Sequence, residues 1–243
     1  LFGDVPRGVM LNQPAIFLGG QGGIVGPARM GFGNVVAAGS VLRTDFTGDN
    51  NLIVEEPQSG KIVDYLPGAY PNLRRILENN LLYMANLMAL EEWYLHVRRP
   101  FLDSQEFGPL LFAGLLEKLA LAKKERIKRL QVLSEKAKTS PEPGGNVGPE
   151  ASGRKEFSER FAEMEALFTA GAADEAAGRY RDDFLVAFAK ARGESGDNYI
   201  AAVQGLSADV SGKGTAWLQG IVNDFCRKAG RSVPSLQLFG RKF

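Results

Sequence analysis

Aliphatic side chains return every six residues at Leu18, Ile24, Met30, Val36 and Leu42. Four residues after each of the first four stands a short side chain: Gly22, Ala28, Asn34 and Ser40. A helix repeats near 3.6 residues and a strand at 2, so neither produces this spacing. A chain that turns a corner every six residues does, with one aliphatic pointing inward per side and a small residue at each tight corner. The pattern predicts the last coils of a β-solenoid over residues 1–47, truncated at the N-terminus. At three sides per coil the repeat supplies only about one and a half coils, and such units need neighbours to bury their faces. The chain is therefore expected to be a piece of a longer protein and to form an oligomer.

The remaining segments follow other periods. Before Leu18 the phase is lost, and Val9, Met10, Leu11, Ile16 and Phe17 read as strand-like pieces of an irregular segment. Residues 48–69 read as an extended arm, with short strands at Leu52-Ile53-Val54 and Lys61-Ile62-Val63 separated by Pro57-Gln58-Ser59-Gly60. Pro71 suits the first turn of a helix. Leu73, Ile76, Leu77, Leu81, Met84, Leu87, Met88 and Leu95 then keep helical spacing up to Arg99, and Pro100 is expected to stop it. Its apolar positions cover more than one stripe, which predicts burial on at least two sides. A second helix over residues 107–138 places Leu116, Leu119, Ile127, Leu130 and Leu133 on one face. Residues 70–138 thus predict a long antiparallel helical hairpin.

Residues 139–153 hold three prolines and four glycines, too little apolar surface to offset the ordering entropy, and read as a linker. Residues 154–243 read as a small helical domain of four shorter helices (154–169, 172–191, 197–206 and 215–230), with an apolar tail. Phe157, Phe161, Phe168, Phe184, Phe188, Trp217, Leu218, Ile221 and Phe225 would form its core.

Composition narrows the function classes. The formal charge of +1 gives no global field for nucleic acid. Residues 71–138 carry 12 basic and 8 acidic groups, many of them in Lys123-Lys124-Glu125-Arg126-Ile127-Lys128-Arg129. Such a run on an amphipathic helix is ordinarily a solvated face, with anion or nucleic-acid binding the weaker reading. A single cysteine, Cys226, and a single histidine, His96, leave no internal disulfide, zinc site or multi-cysteine redox centre. The near-apolar run at residues 81–90 is broken by Asn86 and too short for a bilayer. No leader is visible. A soluble, cytoplasmic protein with no membrane partner is expected.

Local chemistry offers little. His96 follows Glu92 by four residues and precedes Arg99 by three, so a helix would set all three on one face. A carboxylate-oriented histidine is how a general base is built. No nucleophile or oxyanion device accompanies it, which favours a structural role. Gly19-Gly20-Gln21-Gly22-Gly23 lacks the Lys-Ser/Thr ending of a phosphate loop and fits tight corners better. Trp93, Tyr94 and Tyr83 read as core or interface aromatics.

One family resemblance rests on residues 17–46, FLGGQGGIVGPARMGFGNVVAAGSVLRTDF. Ile24-Val25-Gly26-Pro27, Gly31-Phe32-Gly33, Ala37-Ala38-Gly39 and Val41-Leu42-Arg43-Thr44-Asp45 carry it. The stretch resembles the last coils of the left-handed β-helix in hexapeptide-repeat transferases, closest to the bifunctional N-acetylglucosamine-1-phosphate uridyltransferase/glucosamine-1-phosphate acetyltransferase type. The resemblance implies a left-handed β-helix followed here by a mainly α-helical C-terminal region, and a homotrimer. It implies the C-terminal part of a sugar-nucleotide enzyme, a nucleotidyltransferase or acyltransferase acting on a sugar phosphate. Acetyl-CoA is the implied acyl donor, lying along the groove between subunits. Of the family's contacts, an alanine matches Ala38 and a serine falls on Gly20, which keeps only its backbone N–H. An arginine beside the CoA phosphates falls near Glu55 or Glu56, the wrong charge. The family's catalytic histidine would precede Leu1, so no catalytic residue carries over. The alternative expectation is a non-catalytic trimerisation and partner-docking module.

Overall fold

The computed structural model describes residues 1–56, 60, 62, 72–139, 149–169 and 175–240. The expected turn and strand spanning Pro57 to Val63, the helix-starting Pro71, the middle of the expected linker (140–148) and the last three residues of the tail fall wholly or mainly outside them.

Helix α2, Leu73–Trp93, is lined with leucine, methionine and alanine on two sides and accordingly buries Leu73, Leu77, Leu81, Met84, Ala85, Met88 and Trp93. Three asparagines go in with them, and each finds work. Asn80 Nδ2 donates to the Ile76 carbonyl (2.7 Å) and Asn86 Nδ2 to that of Leu82 (2.8 Å). Asn86 Oδ1 also accepts from the Val5 amide (2.8 Å), pinning the short helix α1, Val5–Gly8, against α2. Pro100 does not end the helix as expected. The chain slips one residue into a π turn, Tyr94–Arg98, where the Arg99 amide reaches five residues back to Tyr94 O. A new segment, α3 (Arg99–Leu102), then begins, with Pro100 in its first turn, where a missing N–H leaves nothing unpaired.

Helix α4, Gly108–Thr139, returns antiparallel to α2. Lys123 Nζ meets Glu91 (2.7 Å), while Arg126, further along α4, reaches back to Asn80 (2.8 Å). The C-terminal half comprises α5 (Pro149–Glu159), α6 (Phe161–Thr169), α7 (Glu175–Ser195), α8 (Tyr199–Gln204) and α9 (Ala208–Ser232), then a 3-10 turn at Pro234–Leu236. Three expectations are corrected here. α5 starts inside the expected linker, the expected 154–169 helix breaks at Arg160, and α9 begins seven residues early, capped by Ser207 Oγ accepting from the Val210 amide (3.4 Å).

One core joins these helices. Trp93, Phe101, Phe184, Phe188 and Trp217 meet at its centre, and Met10 from the N-terminal segment enters the same cluster. Gly214 of α9 makes room for it: a Cβ there would stand 2.6 Å from Met10 Cε and 2.8 Å from the Phe184 ring. Cys226 is buried in this core, and burial pushes its thiol up to about 12, so it is inert as a nucleophile.

The fold class expected for residues 1–47 is corrected: no solenoid forms among the described residues. Of the described residues, 65% are helical and 6% are strand. Its strands, β1 (Phe17–Leu18), β2 (Gly23–Ile24), β3 (Val35–Val36), β4 (Val41–Leu42) and β5 (Leu52–Ile53), are two residues each. They make two small parallel sheets, β1-β3-β5 and β2-β4. Leu18 pairs with Val36 and Ile24 with Leu42, so leads three repeats apart are neighbours. The interior that a coil needs is missing. Met30, Val36 and Leu42 are buried, but Leu18 and Ile24 stay 46% and 42% exposed. Only Met30, Val36, Leu42 and Ile53 form a cluster, with Ile16 and Phe46 packed against it. The segment before the repeat, read as irregular, contains α1.

The sheet region is fastened to α2 through Asp45. Its carboxylate accepts from Arg29 Nε (2.9 Å) and Asn79 Nδ2 (3.3 Å), and Arg75 lies at 3.5 Å. Burial alone would raise this carboxyl, but the Arg29 side-chain bond and charge, its backbone N–H and Asn79 outweigh it and hold the carboxyl below its ordinary value. A depressed folded pKa stabilises the fold above the unfolded value of about 4 and loses that contribution as pH falls through the folded one. Thermal melting of Asp45→Asn is therefore expected to fall less steeply than wild type as pH drops below about 4. Parallel curves would show that the Arg29–Asp45–Asn79 junction contributes nothing.

Candidate functional site

Three in-register positions stand out on the three-stranded sheet. Phe17 pairs with Val35 and Val35 with Leu52, and these side chains are 62%, 41% and 69% exposed. Alternation along a strand explains the geometry: Val36 and Ile53 point into the small cluster, so Val35 and Leu52 must point out. Val54 extends the row as a further exposed aliphatic. Ile24 and Val25, also exposed, lie on and beside β2 of the other sheet. A protein that leaves an ordered apolar ladder in water usually covers it with something.

Gly20 and Ala38, the two candidate cofactor-binding residues, are brought together at one end of this sheet. The Gly39 amide donates to Gly20 O (2.9 Å), and both residues are exposed. Gly19 makes the approach possible: a Cβ there would lie 2.5 Å from Ala38 N and 2.6 Å from Val36 O, both backbone atoms that cannot step aside. Around Gly20 there is open space, since a Cβ would meet nothing within 4 Å. The Glu55 amide donates to Ser40 Oγ (3.2 Å), two residues beyond Ala38.

His96 lies in the π turn, with Nε2 3.3 Å from Glu92 and its ring edge-on to Trp217 at 5.9 Å. The pair is half-exposed, and Arg99, expected on the same face, instead approaches Asp103 at 3.4 Å and the Phe112 ring. His96 therefore reads as packing between the π turn and α9. The Gly19–Gly23 run leads into β2, not into a helix, so it makes no phosphate cradle.

The basic run of α4 is more than a solvated face. Between α2 and α4 opens a groove of about 560 Å³, lined by Asn80, Tyr83, Arg126, Arg129 and Lys136 over an apolar floor that includes Ile76, Leu130 and Leu133. Arg126 lies over the Tyr83 ring (4.7 Å to its centroid), and its NH1 donates to Asn80 Oδ1 (2.8 Å). The sequence shows the cations; that Asn80 and Tyr83 of another helix hold one of them was invisible without the α2–α4 pairing. The outward ladder was easier to anticipate, because Phe17 and Val35 are separated by three repeats and flank positions expected inside.

No family model matches the chain, no curated protein matches it, and no solved structure matches it. Among the described residues, no helix is long and apolar enough to cross a membrane.

Proposed function

We propose that this chain is the assembly and docking part of a sugar-nucleotide transferase of the nucleotidyltransferase or acyltransferase type, working as a homotrimer. The exposed ladder Phe17–Val35–Leu52 carries the reading. A closed ring of three uses heterologous contacts, in which one surface of a subunit meets a different surface of the next. Two separate apolar patches, the ladder on one sheet and Ile24–Val25 at the other, supply such a pair. The transferase kinship is supported by the motifs of residues 17–46 and by the contact they make between Gly20 and the 38–39 corner. No catalytic group is assigned to this chain.

The acyl-donor part of the reading is tested with acetyl-CoA itself. Isothermal titration at millimolar ligand is expected to give weak heat with the wild type and none with Ala38→Trp, whose ring would fill the corner. Equal heats from the two proteins, or none from the wild type, would remove acyl transfer and leave a non-catalytic assembly module. That second reading has its own support in the exposed Phe107, Leu110 and Leu111 at the start of α4, a stripe suited to a protein partner.

A further inference from the structure

We propose that the α2–α4 groove binds an organic diphosphate, a small molecule carrying two phosphoryl groups on an apolar or ring-bearing body. This does not rest on the assembly reading.

The argument begins with Arg126. Its guanidinium is planar, permanently charged and able to present two parallel N–H groups to phosphate oxygens. Left on a bare helix it would sample many rotamers and hold an anion weakly. Here Tyr83 lies under its face and Asn80 Oδ1 takes one N–H, fixing the plane. Asn80 is itself fixed, because its Nδ2 donates to Ile76 O. The chain of contacts Ile76–Asn80–Arg126 is a built positioning device. Among the described residues no ion pair is formed by Arg126 itself; the neighbouring Glu125 feels its charge but is bonded to Arg129.

Helical spacing puts more charge on the same wall. Arg129 and Lys136 follow Arg126 by three and ten residues and line the same groove. At about 1.5 Å per residue, Lys136 sits roughly 15 Å along the axis from Arg126. Among the described residues Glu125 is the one acidic lining residue, and Arg129 pairs with it at 2.7 Å. The groove wall thus keeps an excess of positive charge. Between the cations lie Leu130 and Leu133, which can receive the ligand's apolar body. The volume, about 560 Å³, falls within the usual range of about 300–1,000 Å³ for small-molecule sites. Phosphoryl oxygens would engage Arg126 and Arg129, with the body directed towards Lys136.

The test uses UDP as probe on the full chain, by isothermal titration, with uridine and phosphatidylglycerol vesicles as comparisons. Wild-type protein is expected to bind UDP, to weaken as salt is raised, and to ignore uridine. Arg126→Met, which keeps an unbranched stem but loses the guanidinium over Tyr83, is expected to weaken UDP at least tenfold. Arg129→Gln alters an exposed side chain that the fold does not need; it should weaken UDP about threefold with an unchanged melting temperature. The proposal is overturned if UDP gives no binding at millimolar concentration, or if Arg129→Gln and a folded Arg126→Met both bind like wild type. Uridine binding as well as UDP would overturn it too, as would binding to vesicles alone, which would assign the charge to a lipid surface.

Discussion

Trp93→Ala is expected to lower the folding free energy by about 3–5 kcal/mol, the usual cost of removing a large aromatic from a packed core. Trp93 is fully buried where α2, α7 and α8 converge. Its ring lies 5.7 Å from that of Phe184 and 6.5 Å from that of Phe188, both on α7. Its Nε1 donates to the Tyr199 hydroxyl on α8 (2.9 Å). Burial raises the Tyr199 hydroxyl above its ordinary value, and the Trp93 bond opposes that rise, so deletion also strands a buried polar group. Trp93→Phe keeps one aromatic ring but loses the bond and part of the packed volume, and should cost about 1–3 kcal/mol. Urea titration followed by far-UV circular dichroism measures both. If Trp93→Ala unfolds only α7 and α8 while α2 and α4 stay folded, the helical hairpin and the C-terminal helices do not share one cooperative core.

The second large effect concerns assembly. Leu52→Asp places a charge at the most exposed rung of the ladder, and Phe17→Asp places another across the sheet, with Val35 between them. Neither side chain supports the fold of a single copy, since the inward positions of the same strands are Val36 and Ile53. A carboxylate buried at an interface without a partner costs several kcal/mol, which three equivalent contacts would repeat around a ring. The double variant is therefore expected to keep the circular dichroism spectrum and melting temperature of an isolated subunit while its mass falls threefold. A variant that stays associated would assign the interface elsewhere, with Phe107, Leu110 and Leu111 the next surface to alter.

Much of the helical half was readable because its signals are local. Leucine spacing marks α2 and α4, Phe184 and Phe188 mark α7, and Trp217, Leu218, Ile221 and Phe225 mark α9. What escaped depends on contacts across the chain. Pro100 reads as a helix stop, yet a one-residue π slip absorbs it, and no local signal announces the slip. The stretch from Pro149 reads as linker by composition, but Gly153 lies under Leu236 of the 3-10 turn, and that packing sustains α5. The six-residue repeat misled differently. It anticipates which residues lie beside each other, Leu18 with Val36 and Ile24 with Leu42, but not whether enough turns exist to enclose an interior. With two-residue strands, two of the five expected interior positions stay in water, and the region leans on α2 through Asp45 and Asn79 instead. The candidate site was legible in the same partial way. The Gly39 amide bonds Gly20 O, which places Gly20 near Ala38 without testing a ligand role, whereas the groove of Arg126 needed two helices to become visible.

The most direct test of the central claim is the mass of the unaltered chain in solution, by sedimentation equilibrium across micromolar concentrations. The ladder and its counterpart patch predict a species of three copies of the 26.4 kDa chain. A single copy at every concentration would contradict the account, because the row Phe17–Val35–Leu52 would then face water with nothing to cover it.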